Sequence, residues 1–152
     1  MNDVLIKNVR HTGIVVEDLE KSMKFYVGKL GFEVQKAAEE SGEYIDTLLG
    51  LDKAFVKTVK MTLHNDQMIE LLDFTTHKLD KEPAAINRIG PTHMAFTVSN
   101  LNKVIEEFTA DGIEFISEPV SSPDGYAKVA FCKAPEGTYI ELVELKEDSN
   151  RE

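Results

Sequence analysis

Apolar and polar residues alternate with period two near the start of the chain and then shift to a helical spacing. From Val9 to Val16 the alternation puts Val9, His11, Gly13 and Val15 on one face and Thr12, Ile14 and Val16 on the other, which predicts a strand. Asp18 stands where it can cap a helix, whose apolar stripe is Leu19, Met23, Tyr26 and Leu30 and whose stop is Gly31. Phe32 to Lys36 reads as a second strand. Residues 37–54, with Ser41-Gly42 and Gly50, read as a long excursion carrying a short helix around Tyr44 to Leu49. Strands are expected again at Phe55 to Leu63 and Gln67 to Phe74, joined by a turn at Asn65-Asp66.

The plan then repeats. A polar stretch, 75–90, holds Pro83 and Gly90 and reads as a linker. Pro91 to Val98 alternates like the first strand, with Pro91, His93, Ala95 and Thr97 on one face. Asn100 takes the place of Asp18, and Leu101, Val104, Ile105 and Phe108 form the next helical stripe before Gly112. A strand near Glu114 to Glu118 and a loop through Pro119 and Pro123-Asp124-Gly125 follow. Ala127 to Lys133 and Thr138 to Leu145 then form a hairpin about Pro135-Glu136-Gly137. His11 matches His93, Leu19 matches Leu101, and Ile69-Glu70-Leu71 matches Ile140-Glu141-Leu142. The expected fold is therefore α+β, built from two tandem βαβββ modules. Module one spans about 7–74, the linker 75–90, module two about 91–145, and a charged tail 146–152. A helix covers only one face of each sheet, so the two modules are expected to pair and enclose a cavity.

Composition narrows the function. With 152 residues, 42% of them hydrophobic, the chain can bury a core as a single domain. A formal net charge of −10 argues against nucleic acid and against anionic membrane surfaces. No apolar run is long enough to span a bilayer, so a cytoplasmic protein is expected. The single cysteine, Cys132, has no internal disulfide partner and is read as a packing residue on a strand.

Candidate chemistry comes from the alternation itself. Ile69 and Leu71 belong on the helix-covered face, so Glu70 points to the other. The same parity sends Glu141, His11 and His93 to the uncovered faces. Burying four such groups without partners is costly, and a divalent cation removes the cost. Two imidazoles and two carboxylates neutralise M²⁺ and suit Zn²⁺, Ni²⁺, Co²⁺, Fe²⁺ or Mn²⁺. Gly13 and Ala95 are small neighbours on the same faces and leave room for water or substrate, as an open catalytic site requires. His64, beside a turn, and His77, in the linker, lack this setting and are read as solvated. Tyr44, Phe55 and Tyr126, in or beside the long loops, are candidate substrate contacts.

Together the segments HTGIVVEDLEKSMKFYVGKLGFEV, QMIELLDF, GPTHMAFTV and APEGTYIELVEL resemble the vicinal oxygen chelate superfamily, also called the glyoxalase/bleomycin resistance/dioxygenase family, over about residues 7–145. The resemblance implies paired modules in a curved, barrel-like mixed sheet around one metal ion held by His11, Glu70, His93 and Glu141. This ligand set is similar to that of bacterial glyoxalase I, which implies Ni²⁺ or Co²⁺ and a homodimer. It further implies a lyase or isomerase that shifts a proton beside a chelated carbonyl through an enediolate, with Glu70 or Glu141 as base. Epimerases acting on acyl-CoA, Fe²⁺ ring-cleaving dioxygenases and small-molecule-binding resistance proteins are the alternatives within the family. Gly28 and Phe74 stand where glyoxalase I enzymes tend to carry a basic residue and an asparagine, so the metal chemistry is implied more directly than glutathione is.

Overall fold

A computed structural model describes residues 5–64 and 66–146, so Asn65 of the expected turn and nearly all of the charged tail lie outside the described residues. The chain divides into two compact units between Lys81 and Glu82, inside the expected linker.

Unit one runs β1 (Thr12–Val15), α1 (Leu19–Tyr26), β2 (Glu33–Ser41), α2 (Glu43–Leu49), β3 (Phe55–Thr62) and β4 (Met68–Phe74). Its sheet has the order β1-β4-β3-β2, with β1 parallel to β4 and the other pairs antiparallel. The first helix forms for the local reasons the sequence offers. Asp18 accepts from the Lys21 backbone N–H, and Gly31 supplies a φ of 84° in the turns that leave the helix. The stripe is centred on Ser22, Phe25 and Tyr26, while Leu19, Met23 and Leu30 flank it half-buried. Tyr26, fully buried, packs edge-on against Phe25 and Phe32, with ring centroids 5.3 and 6.1 Å away. Ile14, Val59, Met61, Ile69 and Leu71 are among the other buried side chains of this unit, each contributing about 1.5–3 kcal/mol.

Unit two runs β5 (His93–Thr97), α3 (Leu101–Ala110), β6 (Val120–Ser121), β7 (Ala127–Lys133) and β8 (Tyr139–Leu145). The sheet order is β5-β8-β7-β6, with β5 parallel to β8. Asn100 caps α3 by accepting from the Lys103 N–H, and Gly112 repeats the φ of 84° seen at Gly31. Leu101, Phe108, Cys132, Ile140 and Leu142 are buried.

The structure corrects three expectations. Residues 37–41 are not part of an excursion: β2 continues to Ser41, in register with β3 from Lys36↔Lys60 to Ser41↔Phe55. Cross-strand pairing extends the strand through a polar sequence with little β preference of its own. The strand expected near Glu114 to Glu118 reduces to a single bridge, Phe115↔Cys132, and pairing resumes only at β6. Phe115 and Val120 are five positions apart while their partners Cys132 and Val129 are three apart, so the chain bulges where Pro119 brings no N–H to the ladder. Finally, the α+β architecture is observed as two four-stranded mixed sheets that do not close into a barrel.

Candidate metal-binding half-sites

The two glutamates occupy the same place in the two sheets. In β4, Ile69 and Leu71 are buried against the helix-covered side, and Glu70 between them takes the opposite face. In β8, Ile140 and Leu142 place Glu141 in the same way. Each glutamate lies beside a small residue of the parallel edge strand, Gly13 for Glu70 and Ala95 for Glu141. Both glutamates therefore take the faces that strand alternation gives them.

Each glutamate meets its own unit's histidine. His11 Nε2 lies 3.7 Å from Glu70 Oε1, and His93 Nε2 lies 3.8 Å from Glu141 Oε2. Both gaps exceed a hydrogen bond and are a few tenths of an ångström wider than the roughly 3–3.4 Å that an N and an O ligand keep on one ion. His11 Nδ1 is buried with no hydrogen-bond partner, leaving a half-buried imidazole under-satisfied. His93 Nδ1 has the Thr92 hydroxyl at 3.3 Å, and the ring stands edge-on to Phe131 at 5.7 Å. That leaves Nε2 as its outward nitrogen, the disposition of a metal-binding histidine. The pair in unit one is the more enclosed, with side chains 27% and 16% exposed for His11 and Glu70 against 45% and 25% for His93 and Glu141.

The structure thus brings the four expected ligands together as two pairs, one in each unit. Among the described residues no three His, Cys, Asp or Glu side chains are grouped to hold one ion. By donor chemistry each pair fits half of a neutral N₂O₂ set for a divalent cation.

The other candidates are placed as follows. Tyr44 stands exposed on α2, where Glu43, Thr47 and Leu48 join it around a shallow surface hollow. Phe55 shares the strand parity of Val59 and Met61, on the face opposite Glu70. Tyr126 follows a tight turn in which Asp124 accepts from the Ser122 hydroxyl and the Tyr126 N–H, bonds that hold the Asp124 carboxyl below its usual range. His64 and His77 are exposed, as expected. Cys132 is fully buried, and burial pushes its thiol up to about 12, which suits packing and not nucleophilic attack. Gly28 lies in the turn after α1, where a Cβ would meet the Lys24 carbonyl oxygen at 2.3 Å. Backbone approach therefore requires glycine here, whatever the ligand.

Two features escaped the sequence reading. Three residues past each glutamate, an acid ties the sheet to the helix: Asp73 accepts from the Leu19 N–H at 3.1 Å, and Glu144 from the Leu101 N–H at 2.9 Å. The signal was available in the matched segments IELLD and IELVE. The second is Lys60, directly across the ladder from Glu70, with its ammonium 3.8 Å from Glu70 Oε2. Phe131 holds the corresponding place opposite Glu141. Only the register reveals that pairing.

Comparison with known proteins gives the family. The family model of the Glyoxalase/Bleomycin resistance protein/Dioxygenase superfamily matches residues 8–142. The chain is 32% identical to the uncharacterized protein YwkD of Bacillus subtilis (strain 168), covering 93% of this chain and 99% of that one. It is 30% identical to a probable lactoylglutathione lyase of Synechocystis sp., covering 88% and 92%. A crystal structure of a glyoxalase family protein from Bacillus cereus superimposes with a TM-score of 0.83 at 26% identity, covering 95% of this chain and 96% of that one. The chain belongs to the glyoxalase/bleomycin resistance/dioxygenase superfamily.

Proposed function

We propose that the protein is a divalent-metal-dependent lyase or isomerase of the glyoxalase I type, acting on a small molecule with a proton next to a carbonyl. The observation that carries this reading is the recurrence of an imidazole–carboxylate pair, at 3.7 and 3.8 Å, at matching positions of the two units. The likeness to a relative named as a probable lactoylglutathione lyase supports it. His11, Glu70, His93 and Glu141 form one ligand set in this reading, for Ni²⁺ or Co²⁺ first and for Zn²⁺, Mn²⁺ or Fe²⁺ otherwise. Each unit supplies two of the four, and a homodimer, as in bacterial glyoxalase I, is part of the proposal.

A bound divalent ion supplies Lewis-acid stabilisation of the negative charge that develops on a carbonyl oxygen. The rest is the work of the chain's own groups. His11 and His93 hold fixed positions at the strand starts. Glu70 or Glu141 takes the proton from the carbon beside the carbonyl and returns it to the neighbouring carbon, or to the opposite face of the same carbon. The first course gives glyoxalase chemistry on a hemithioacetal, the second epimerisation of an acyl thioester. Tyr44 and Tyr126 are the aromatic candidates for contacts with the remainder of the substrate.

Metal analysis of the purified protein, joined to a panel of methylglyoxal with glutathione or other thiols and methylmalonyl-CoA, tests the proposal. The expected result is a stoichiometric divalent metal and turnover of one substrate pair without oxygen consumption. Glu70→Gln and His93→Ala each then lower kcat/KM by about 100-fold or more. A protein that takes up no stoichiometric metal even after reconstitution would overturn it, as would turnover that survives both substitutions.

A further inference from the structure

Glu70 is one member of a row running across the sheet of unit one. Gly13 lies beside it on β1, Lys60 on β3, and Lys36 lies opposite Lys60 on β2. Directly paired cross-strand residues share a face, so both lysines stand on the side of the sheet that carries Glu70 and His11. Gln35, at the bulge in β2, donates to the Thr62 hydroxyl at 2.9 Å, in keeping with that face. Like charges directly opposite one another are destabilising, and this pair occurs in a chain whose net charge is −10. Lys60 is only 33% exposed and pairs with Glu70, while Lys36 is exposed with no ion-pair partner among the described residues. Glu33 lies three residues before Lys36, opposite Thr62, and Glu40 four residues after it, opposite Val56. Neither stands in the row. At the corresponding place in unit two, Phe131 faces Glu141.

The charge balance changes once Glu70 serves a metal. Two carboxylates cancel M²⁺, and the two lysines are left with two uncompensated positive charges beside the centre. We propose that Lys36 and Lys60 form an anion subsite, and that the substrate carries a carboxylate or phosphate-type group on the β2–β3 side of its reacting carbonyl. This inference rests on the metal-centre reading above and adds the substrate class to it. With strands about 4.8 Å apart, the anionic group lies roughly 5–10 Å from the oxygens held at the Glu70 position. The substrate is therefore a compact carbonyl compound whose anionic group is a few bonds away.

Calorimetric binding of three hydroxamates to the Ni²⁺-loaded protein tests this. Acetohydroxamate has a neutral tail, succinic monohydroxamate a carboxylate and phosphonoacetohydroxamate a phosphonate. Wild type is expected to bind at least one of the anionic pair about 10-fold or more tightly than acetohydroxamate, and the preferred tail identifies the anion. Lys36→Met and Lys60→Met each reduce that preference, and the double variant removes it, the preference being read in every variant as the ratio of its affinities for the anionic probes and for acetohydroxamate. Equal affinities for all three probes in a protein that holds its metal would overturn the anion subsite alone and leave the lysines as solvating residues near a sheet edge. A double variant that keeps the preference overturns the subsite equally. A protein that takes up no Ni²⁺ overturns the metal-centre reading, and the subsite with it.

Discussion

Cys132 shows how completely a single residue's chemistry depends on its surroundings. Burial raises its thiol from the ordinary 9.0 to about 12, so the folded protein keeps a proton that the unfolded chain releases above pH 9. In that range the folded state binds more protons, so stability falls as pH rises. The contribution is complete below pH 9 and lost progressively toward pH 12. Denaturant unfolding at about pH 8 and about pH 10.5 should show a shallower loss for Cys132→Val than for wild type. An unchanged loss would mean that the thiol ionises in the folded protein. The sequence made Cys132 a packing residue, which its full burial bears out. The Lys60–Glu70 pair was not legible, because the two strands of a hairpin can pair in several registers.

At the scale of elements, α1 and α3 are attached by the same device. Asp18 and Asn100 cap within the local chain, and Asp73 and Glu144 reach from the sheet to the first helical N–H. These carboxylates satisfy orphan donors and lie at the positive end of the helix dipole. Glu144→Ala is expected to lower stability by about 1–2 kcal/mol, measured by denaturant unfolding, because it leaves a part-buried N–H unpaired. Glu144→Gln, which keeps an acceptor oxygen, should recover a large part of that loss, and equal losses in the two variants would rule out the hydrogen bond as the cause. The capping residues and stop glycines were readable because their effects are local. The extent of β2 and the shortness of β6 were not, because pairing partners far along the chain set them.

For the whole molecule, the proposed metal centre predicts linkage between metal and stability. A ligand that binds the folded state alone stabilises it by about 2.7 kcal/mol when present at 100 times its Kd. Thermal unfolding should therefore shift upward on adding Ni²⁺ or Co²⁺ to chelator-treated protein, and His11→Ala or His93→Ala should each abolish most of the shift. If removing one histidine leaves the shift intact, the four residues do not serve one ion. Among the described residues no helix is long and apolar enough to cross a membrane.

The sequence alone determined the repeat, the two helices with their caps and the faces taken by His11, Glu70, His93 and Glu141. Each of these follows from a period of 2 or 3.6 or from a residue's effect on its nearest neighbours. Tertiary structure decided how long each strand runs, that Gly28 is required by a close backbone approach, and that the sheets stay open. It also set Lys36 and Lys60 in line with Glu70. Those features depend on register and packing between distant segments, and no local pattern encodes them. The pairing of His11 with Glu70 stands between the two cases. Alternation gave the shared face, and the parallel register of β1 on β4 brought imidazole and carboxylate to 3.7 Å.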